Sequence, residues 1–303
     1  MIKYLENNKI DKSKWDTCIN RSADASIFVY SWYLDVVCDN WSALILNDYE
    51  AVFPIAIKSK YKLHYAYQPF YSRYFGVYKE GVISKELVKL FLDAVPEKIK
   101  YFEFCLHESN TIQNKKLEIT ERKFQMLNIN NTYEAIQKGY SENTRRSIKK
   151  SIKAELKIRP DIEPEKIVDL FKSTKGVDLE IFTNKDYKNL IKLMNTCLDK
   201  KKGQSIAIYY GKELCAAAFF MFSNNKFTYL KSGITEQGKA KGAMYLLIDY
   251  FIREHCGNKY TFDFGGSSIE SVANFYKKFG AKDFVYLQIK KNNLPAVVKW
   301  IKK

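Results

Sequence analysis

Residues 205 to 222, "SIAIYYGKELCAAAFFMF", place two apolar and aromatic runs on either side of Gly211-Lys212. A glycine-containing turn between two such runs predicts a β-hairpin. Downstream, "KFTYLKSGIT" (226–235) reads as a third strand and Glu236 to Gly242 as a small cationic loop. "GAMYLLIDYFIREH" (242–255) then reads as a helix and "KYTFDF" (259–264) as a closing strand. That order describes a mostly antiparallel sheet with helices packed on it.

The same order occurs earlier in the chain. Residues 43 to 57, "ALILNDYEAVFPIAI", give a second hairpin signal about Asn47-Asp48. A strand-like "LHYAYQPF" (63–70), a loop, the helical "SKELVKLFLDAV" (84–95) and the strand "KYFEFCL" (100–106) follow. From turn to final strand the distance is about fifty residues in both halves, with no sequence identity between them. The expectation is an α/β (α+β) protein of two related domains, residues 1–135 and 136–303, each a mostly antiparallel mixed sheet flanked by helices.

Between the two repeats lies "YSENTRRSIKKSIKAELKI", residues 140 to 158. Ser141 suits an N-cap, and Ile148, Ile152 and Leu156 recur every four residues on one stripe. Arg145, Lys149 and Lys153 line another stripe, beside Arg146 and Lys150. The segment predicts a basic amphipathic helix. A solvated charged face is the plain alternative, but two of only seven arginines stand together here. Arginine is the residue suited to a phosphate or carboxylate fork.

Composition narrows the class. Hydrophobic residues make up 46% and charged residues 28%, an ordinary globular balance. The net charge of +16 is carried mainly by lysine. Such a field favours encounter with phosphate-bearing ligands, RNA or an anionic membrane surface. The cysteines at 18, 38, 105, 197, 215 and 256 form no CxxC pair and the three histidines are scattered, which disfavours zinc; no metal is expected. The N-terminal "MIKYLENNKIDKSKW" lacks the apolar core of a signal peptide, and the longest apolar run is "CAAAFFMF". A cytoplasmic location is the expectation.

Asp263-Phe264-Gly265 resembles a kinase's magnesium-binding triplet only in isolation, because no HRD catalytic loop accompanies it. More coherent is the loop Glu236–Gly242 before a helix, since backbone amides and a helix N-terminus both favour an anion. Lys239 and Lys241 add charge there. Next, a helix is predicted over 269–279, with Ser267 as N-cap and Glu270 completing a capping box. Ile269, Val272, Ala273, Tyr276 and Phe279 share one face and Gly280 caps the end. Tyr276 then lies on or beside a packed face with a hydroxyl that needs a partner, which a structural hydrogen bond would also satisfy.

Hairpin, strand, basic loop, helix, strand and then "ANFYKKFGA" (273–281) together resemble the GNAT acyltransferase superfamily. The doubled unit, the basic "NTRRSIKKSIKAELKI" and the "DFGGS" before a helix narrow the likeness to Fem-type (FemAB-like) peptidoglycan-bridge aminoacyltransferases and their relatives. The resemblance spans about residues 20 to 290. In that family a Q/R-x-x-G-x-G/A loop holds the CoA pyrophosphate. Gln237, Ala240 and Gly242 stand in that frame, with Ala240 replacing a glycine; a frame read from Lys239 gives Gly242 and then Met244, and the donor region would extend over Lys239, Lys241 and Ala243. In the same family a tyrosine four residues before a helix-ending glycine commonly protonates the departing thiolate, and Tyr276 and Gly280 have that spacing. The family's bulged strand implies that amides near Ser232, Gly233 and Ile234 polarise the acyl carbonyl. The first half has no Gly/Lys loop before its helix, which implies a copy that lost donor binding and shapes the acceptor site.

The resemblance implies transfer of an acyl group from acyl-CoA, acetyl-CoA being the simplest co-substrate, to an amine. A lysine-type amine of pKa about 10.4 must lose a proton to attack. Asp263 is a candidate base or orienting carboxylate, with bonding to the Gly265 and Gly266 amides as the structural alternative. Arg145 and Arg146 are candidates for gripping an anionic acceptor, a small molecule or a cell-wall precursor. One other reading is an aminoacyl-tRNA-dependent transferase on a peptidoglycan precursor, although no large helical insertion for tRNA is visible. Another is a non-catalytic protein that binds RNA or an anionic membrane surface peripherally.

Overall fold

The computed structural model describes every residue except 61–62, 175–181, 267–269 and 296–303. The chain divides into two compact units, Met1–Arg122 with the residues from Val285 on, and Lys123–Phe284. Its elements begin with β1 (Ile2–Glu6), α1 (Lys12–Arg21), α2 (Ser31–Val37), β2 (Trp41–Leu46), β3 (Ala51–Lys60) and β4 (Leu63–Tyr67). Next come β5 (Tyr78–Lys79), α3 (Lys85–Asp93), β6 (Ile99–Leu106) and β7 (Glu118–Asn128). The middle holds α4 (Tyr133–Lys138), α5 (Glu142–Lys153), β8 (Lys157–Pro160), α6 (Pro164–Thr174) and α7 (Asn184–Asp199). The last part is β9 (Gly203–Tyr210), β10 (Glu213–Ser223), β11 (Lys226–Ile234), α8 (Glu236–Lys241), α9 (Ala243–His255), β12 (Thr261–Asp263), α10 (Glu270–Lys277) and β13 (Lys282–Asn292).

Both units show one topology. In the first, β1–β2, β2–β3 and β3–β4 pair antiparallel and β4–β6 pair in parallel. In the second, β8–β9, β9–β10 and β10–β11 are antiparallel and β11–β12 is parallel. The two hairpins and the helix between each parallel pair stand where the sequence places them. The closing strands do not follow chain order. β7 follows β6 yet pairs with β12, setting Phe262 opposite Leu127, while β13 follows β12 yet pairs with β6, setting Ile289 opposite Phe104. For this reason the compact units change at 122/123 and again at 285, whereas the sequence reading divides the chain at 135/136.

The core of the second unit explains its unbroken apolar run. On β10, Cys215 to Met221 are all buried, because α6 packs on one face and α9 on the other. A strand covered on both faces needs no polar alternation. Ala216, Ala217 and Ala218 keep the strand thin between those helices, and Phe220 stacks on Phe251 of α9 at 3.8 Å between ring centroids. Burial of each such ring is worth about 1.5–3 kcal/mol.

Two local expectations are corrected and a third, the helix before Gly280, is met. Glu236–Lys241 is a short helix, α8, not a loop, because Thr235 caps it by accepting the Gly238 N–H at 3.0 Å. Ile152 is 62% exposed; α5 ends at Lys153, and its buried residues are Thr144, Ile148 and Ser151. The helix predicted over 269–279 is α10, Glu270–Lys277, and Gly280 ends it at φ +86° with its N–H on the Lys277 carbonyl. The predicted cap Ser267 and the face residue Ile269 lie outside the described residues.

Candidate functional site

The site begins where two parallel strands part. β11 and β12 are in register from Lys226↔Thr261 to Thr228↔Asp263, and there β12 ends. β11 continues to Ile234, still paired to β10 on its other side. From Tyr229 on, its β12-side edge has no strand partner among the described residues. A register shift opposite Phe219/Phe220 leaves Leu230 unpaired and turns the strand just past that fork. The bulge therefore sits two residues before Ser232, upstream of the Ser232–Ile234 segment for which it was expected.

A cavity of about 280 Å³ opens at this edge. Of the residues singled out in the sequence, Ser232, Gly233, Ile234, Lys239, Gly242 and Tyr276 line it. Gly233 admits no side chain, because a Cβ there would lie 2.8 Å from the backbone of Leu170 and Phe171 in α6. Gly242 turns the chain from α8 into α9 with φ +77°, a conformation that costs glycine little. It gives the first turn of α9 no side-chain cap, so that helix end is left to the cavity side. Lys239 reaches its own Glu236 at 2.5 Å on the surface.

Tyr276 is 8% exposed and stacks on Phe264 at 4.8 Å between centroids, which holds the ring at the cavity wall. A second phenol, missed in the sequence, faces it: Tyr229 lies at 6.1 Å and 73°. Burial pushes the Tyr229 phenol up, against a smaller lowering by the Ser232 hydroxyl, and its hydroxyl donates to Met244 Sδ at 3.4 Å. Met244, Tyr245, Val272 and Phe275 complete an apolar wall. Their signal in the sequence was the helical period alone, which is also that of any core face.

The other sequence candidates lie apart from the cavity lining. Asp263 is fully buried and accepts the Gly265 N–H at 2.9 Å, tying down the exit from β12. Gln237 accepts from the Cys215 thiol at 3.3 Å, and Ala240 is exposed on α8. Lys241 holds its ammonium 3.9 Å over the Tyr210 ring, and Ala243 is buried at the start of α9. Arg145 and Arg146 are exposed on α5, Arg146 lying 3.8 Å from Glu142. Among the described residues no group of three or more metal-ligating side chains converges, and no helix is long and apolar enough to cross a membrane.

Residues 140–278 match the family model described as an acetyltransferase (GNAT) domain. No curated protein sequence matches the chain. Among solved structures it is similar to FemX, with a TM-score of 0.68 and 11% identity over 99% of this chain and 100% of that one. It is similar to a tandem GNAT protein from the clavulanic acid biosynthesis pathway, with a TM-score of 0.56 and 8% identity over 98% and 100% of the two chains. A third likeness, at TM-score 0.56 and 12% identity over 97% and 94%, is to a C-terminal domain from Agrobacterium fabrum provisionally assigned to a lysylphosphatidylglycerol synthetase. At such identities the likeness is one of fold.

Proposed function

We propose that this chain, an acyltransferase of tandem GNAT, FemAB-like fold, moves an acyl group from acyl-CoA to an amine acceptor. One observation carries the reading: Tyr276, the stretch of β11 beyond its pairing with β12, and the α8–α9 turn line a single cavity. At about 280 Å³ it lies near the lower end of ligand pockets, roughly 300–1,000 Å³. That volume suits the thioester arm of a donor and leaves its phosphates at the mouth. There Lys239 and the uncapped start of α9 supply positive charge and N–H groups.

The chemistry follows from the lining. A neutral amine attacks the thioester carbonyl carbon, and the carbonyl oxygen gains charge. Amides on the open edge of β11 at Ser232–Ile234 would stabilise that oxygen. The carbon–sulfur bond then breaks, and Tyr276 gives its proton to the leaving thiolate. Asp263, bound to the Gly265 amide, supports an orienting role more readily than that of a base. Arg145 and Arg146 would meet an anionic part of a substrate from the exposed face of α5.

A second reading has its own support. The Fem-type resemblance of the sequence, the likeness to FemX and the exposed basic face of α5 support an aminoacyl-tRNA donor and a peptidoglycan precursor as acceptor. Thermal unfolding of the full chain with acetyl-CoA, longer acyl-CoAs and aminoacyl-tRNA separates the two. A donor at 100 times its Kd adds about 2.7 kcal/mol of stability. Stabilisation by a CoA thioester is the expected result. A shift with aminoacyl-tRNA alone would replace the leading reading with the second.

A further inference from the structure

Beyond the arginines on its exposed face, helix α5 has been given no role, yet its inner face is tied to both walls of the cavity. At its N-terminus, the carbonyl of Lys278 accepts the Ser141 N–H at 2.8 Å and the Thr144 hydroxyl at 3.0 Å. Lys278 follows α10 directly, two residues after Tyr276. One residue before Thr144, Asn143 donates its side-chain amide to the Tyr245 hydroxyl at 3.1 Å, and Tyr245 lines the cavity from α9.

Two turns further on, α5 meets the other wall. The Ser151 hydroxyl is fully buried, with the carbonyls of Lys241 at 3.0 Å and Gly242 at 2.9 Å within its reach. The Ser147 carbonyl lies 2.8 Å away as well, so one proton is shared among three acceptors. The fit is tight. A Cβ on Gly242 would stand 2.9 Å from both the Ser147 carbonyl and the Ser151 hydroxyl.

We propose that α5 is a strut that sets the spacing of the two cavity walls, with Ser151 a positioning residue for the donor-side turn and Thr144 a positioning residue for the helix that carries Tyr276. The buried positions Thr144, Ile148 and Ser151 explain two hydroxyl residues of "NTRRSIKKS": Thr144 and Ser151 are the attachments, and the cations keep the exposed face. The kinetic part of this proposal rests on the acyl-transfer reading; the mechanical part does not.

The test uses the full chain and the variants Ser151→Ala and Thr144→Val. Without ligand, amide hydrogen exchange should quicken at Lys239–Tyr245 in Ser151→Ala and at Tyr276–Gly280 in Thr144→Val, each leaving the other wall unchanged. With substrates, Ser151→Ala should raise the donor KM about tenfold with kcat nearly constant. Thr144→Val should lower kcat about tenfold with the donor KM nearly constant. Exchange that quickens throughout the unit in both variants, or KM and kcat that move together, would overturn the strut. If Ser151→Ala does not fold, Asn143→Ala, an exposed change, should still raise the donor KM about threefold, and an unchanged KM counts against the proposal. No turnover by the wild-type protein with any acyl-CoA or aminoacyl-tRNA would refute the acyl-transfer reading, while the exchange pattern would still decide the strut.

Discussion

Tyr276 and Tyr229 are two phenols on one cavity, and the proposed mechanism gives them different work. Tyr229 spends its hydroxyl on Met244 Sδ and is held protonated by burial. Tyr276 sits on the helix that faces the open edge of β11, its ring fixed against Phe264. Replacing Tyr276 by Phe keeps the ring stack and removes only the hydroxyl. The expected result is a kcat about 100-fold lower, the low end for a general acid, with stability changed by about 1 kcal/mol or less. Tyr229→Phe should lower kcat by less than about tenfold. Steady-state kinetics beside thermal melts of both variants makes the check, and equal losses of kcat would remove Tyr276 from the acid's role. The Tyr276–Gly280 spacing was legible in the sequence; the partner phenol was not, because nothing local shows that β11 lies beside β12 and so brings Tyr229 to Tyr276.

Among the elements, α9 carries a cost that its sequence conceals. Asp249 stands on a helix buried nearly all round and is itself 4% exposed, accepting the Tyr133 hydroxyl at 2.7 Å. Burial raises its pKa above the ordinary 3.8, the Tyr133 bond only partly opposing. With the folded pKa above the unfolded one, the stabilising contribution is complete below about pH 3.8 and is lost as pH rises through the raised value. Asp249→Asn keeps an oxygen for Tyr133 and removes the charge. It should therefore melt higher than the wild-type protein at pH 7.5, with the difference shrinking toward pH 4; melts across that range measure it. The elements themselves were readable wherever one periodicity ruled, as in the two hairpins, α3 and α9. They were misread where capping decided. Thr235 winds Glu236–Lys241 into α8, although glycine and lysine there suggested a loop. At Ile152 the apolar period ran past the turn that α5 buries.

The scale of the whole molecule is where sequence order misleads most, because strand pairing leaves chain order at its two closing steps. β7 and β13, exposed or half-buried along most of their length, gave no strand signal in the sequence reading, and no local signal names a partner well over a hundred residues away. The parallel fork at the cavity depends on that choice: β12 has β11 on one side and β7 on the other, through Asn128, Leu127 and Met126 opposite Thr261, Phe262 and Asp263. Only three residues long, β12 gains a second ladder from β7 that a domain cut at 135/136 would remove. The fragment 136–303 should then expose the edge of β12 and the ring of Phe262, and it should aggregate or melt without cooperativity. The fragment 118–284, which keeps β7 with its partner, should melt in one transition. Thermal denaturation of both by circular dichroism, with light scattering for aggregation, makes the comparison. A cooperative melt of 136–303 would mean that β12 holds without β7, and that the fork at the cavity is built by the second repeat alone.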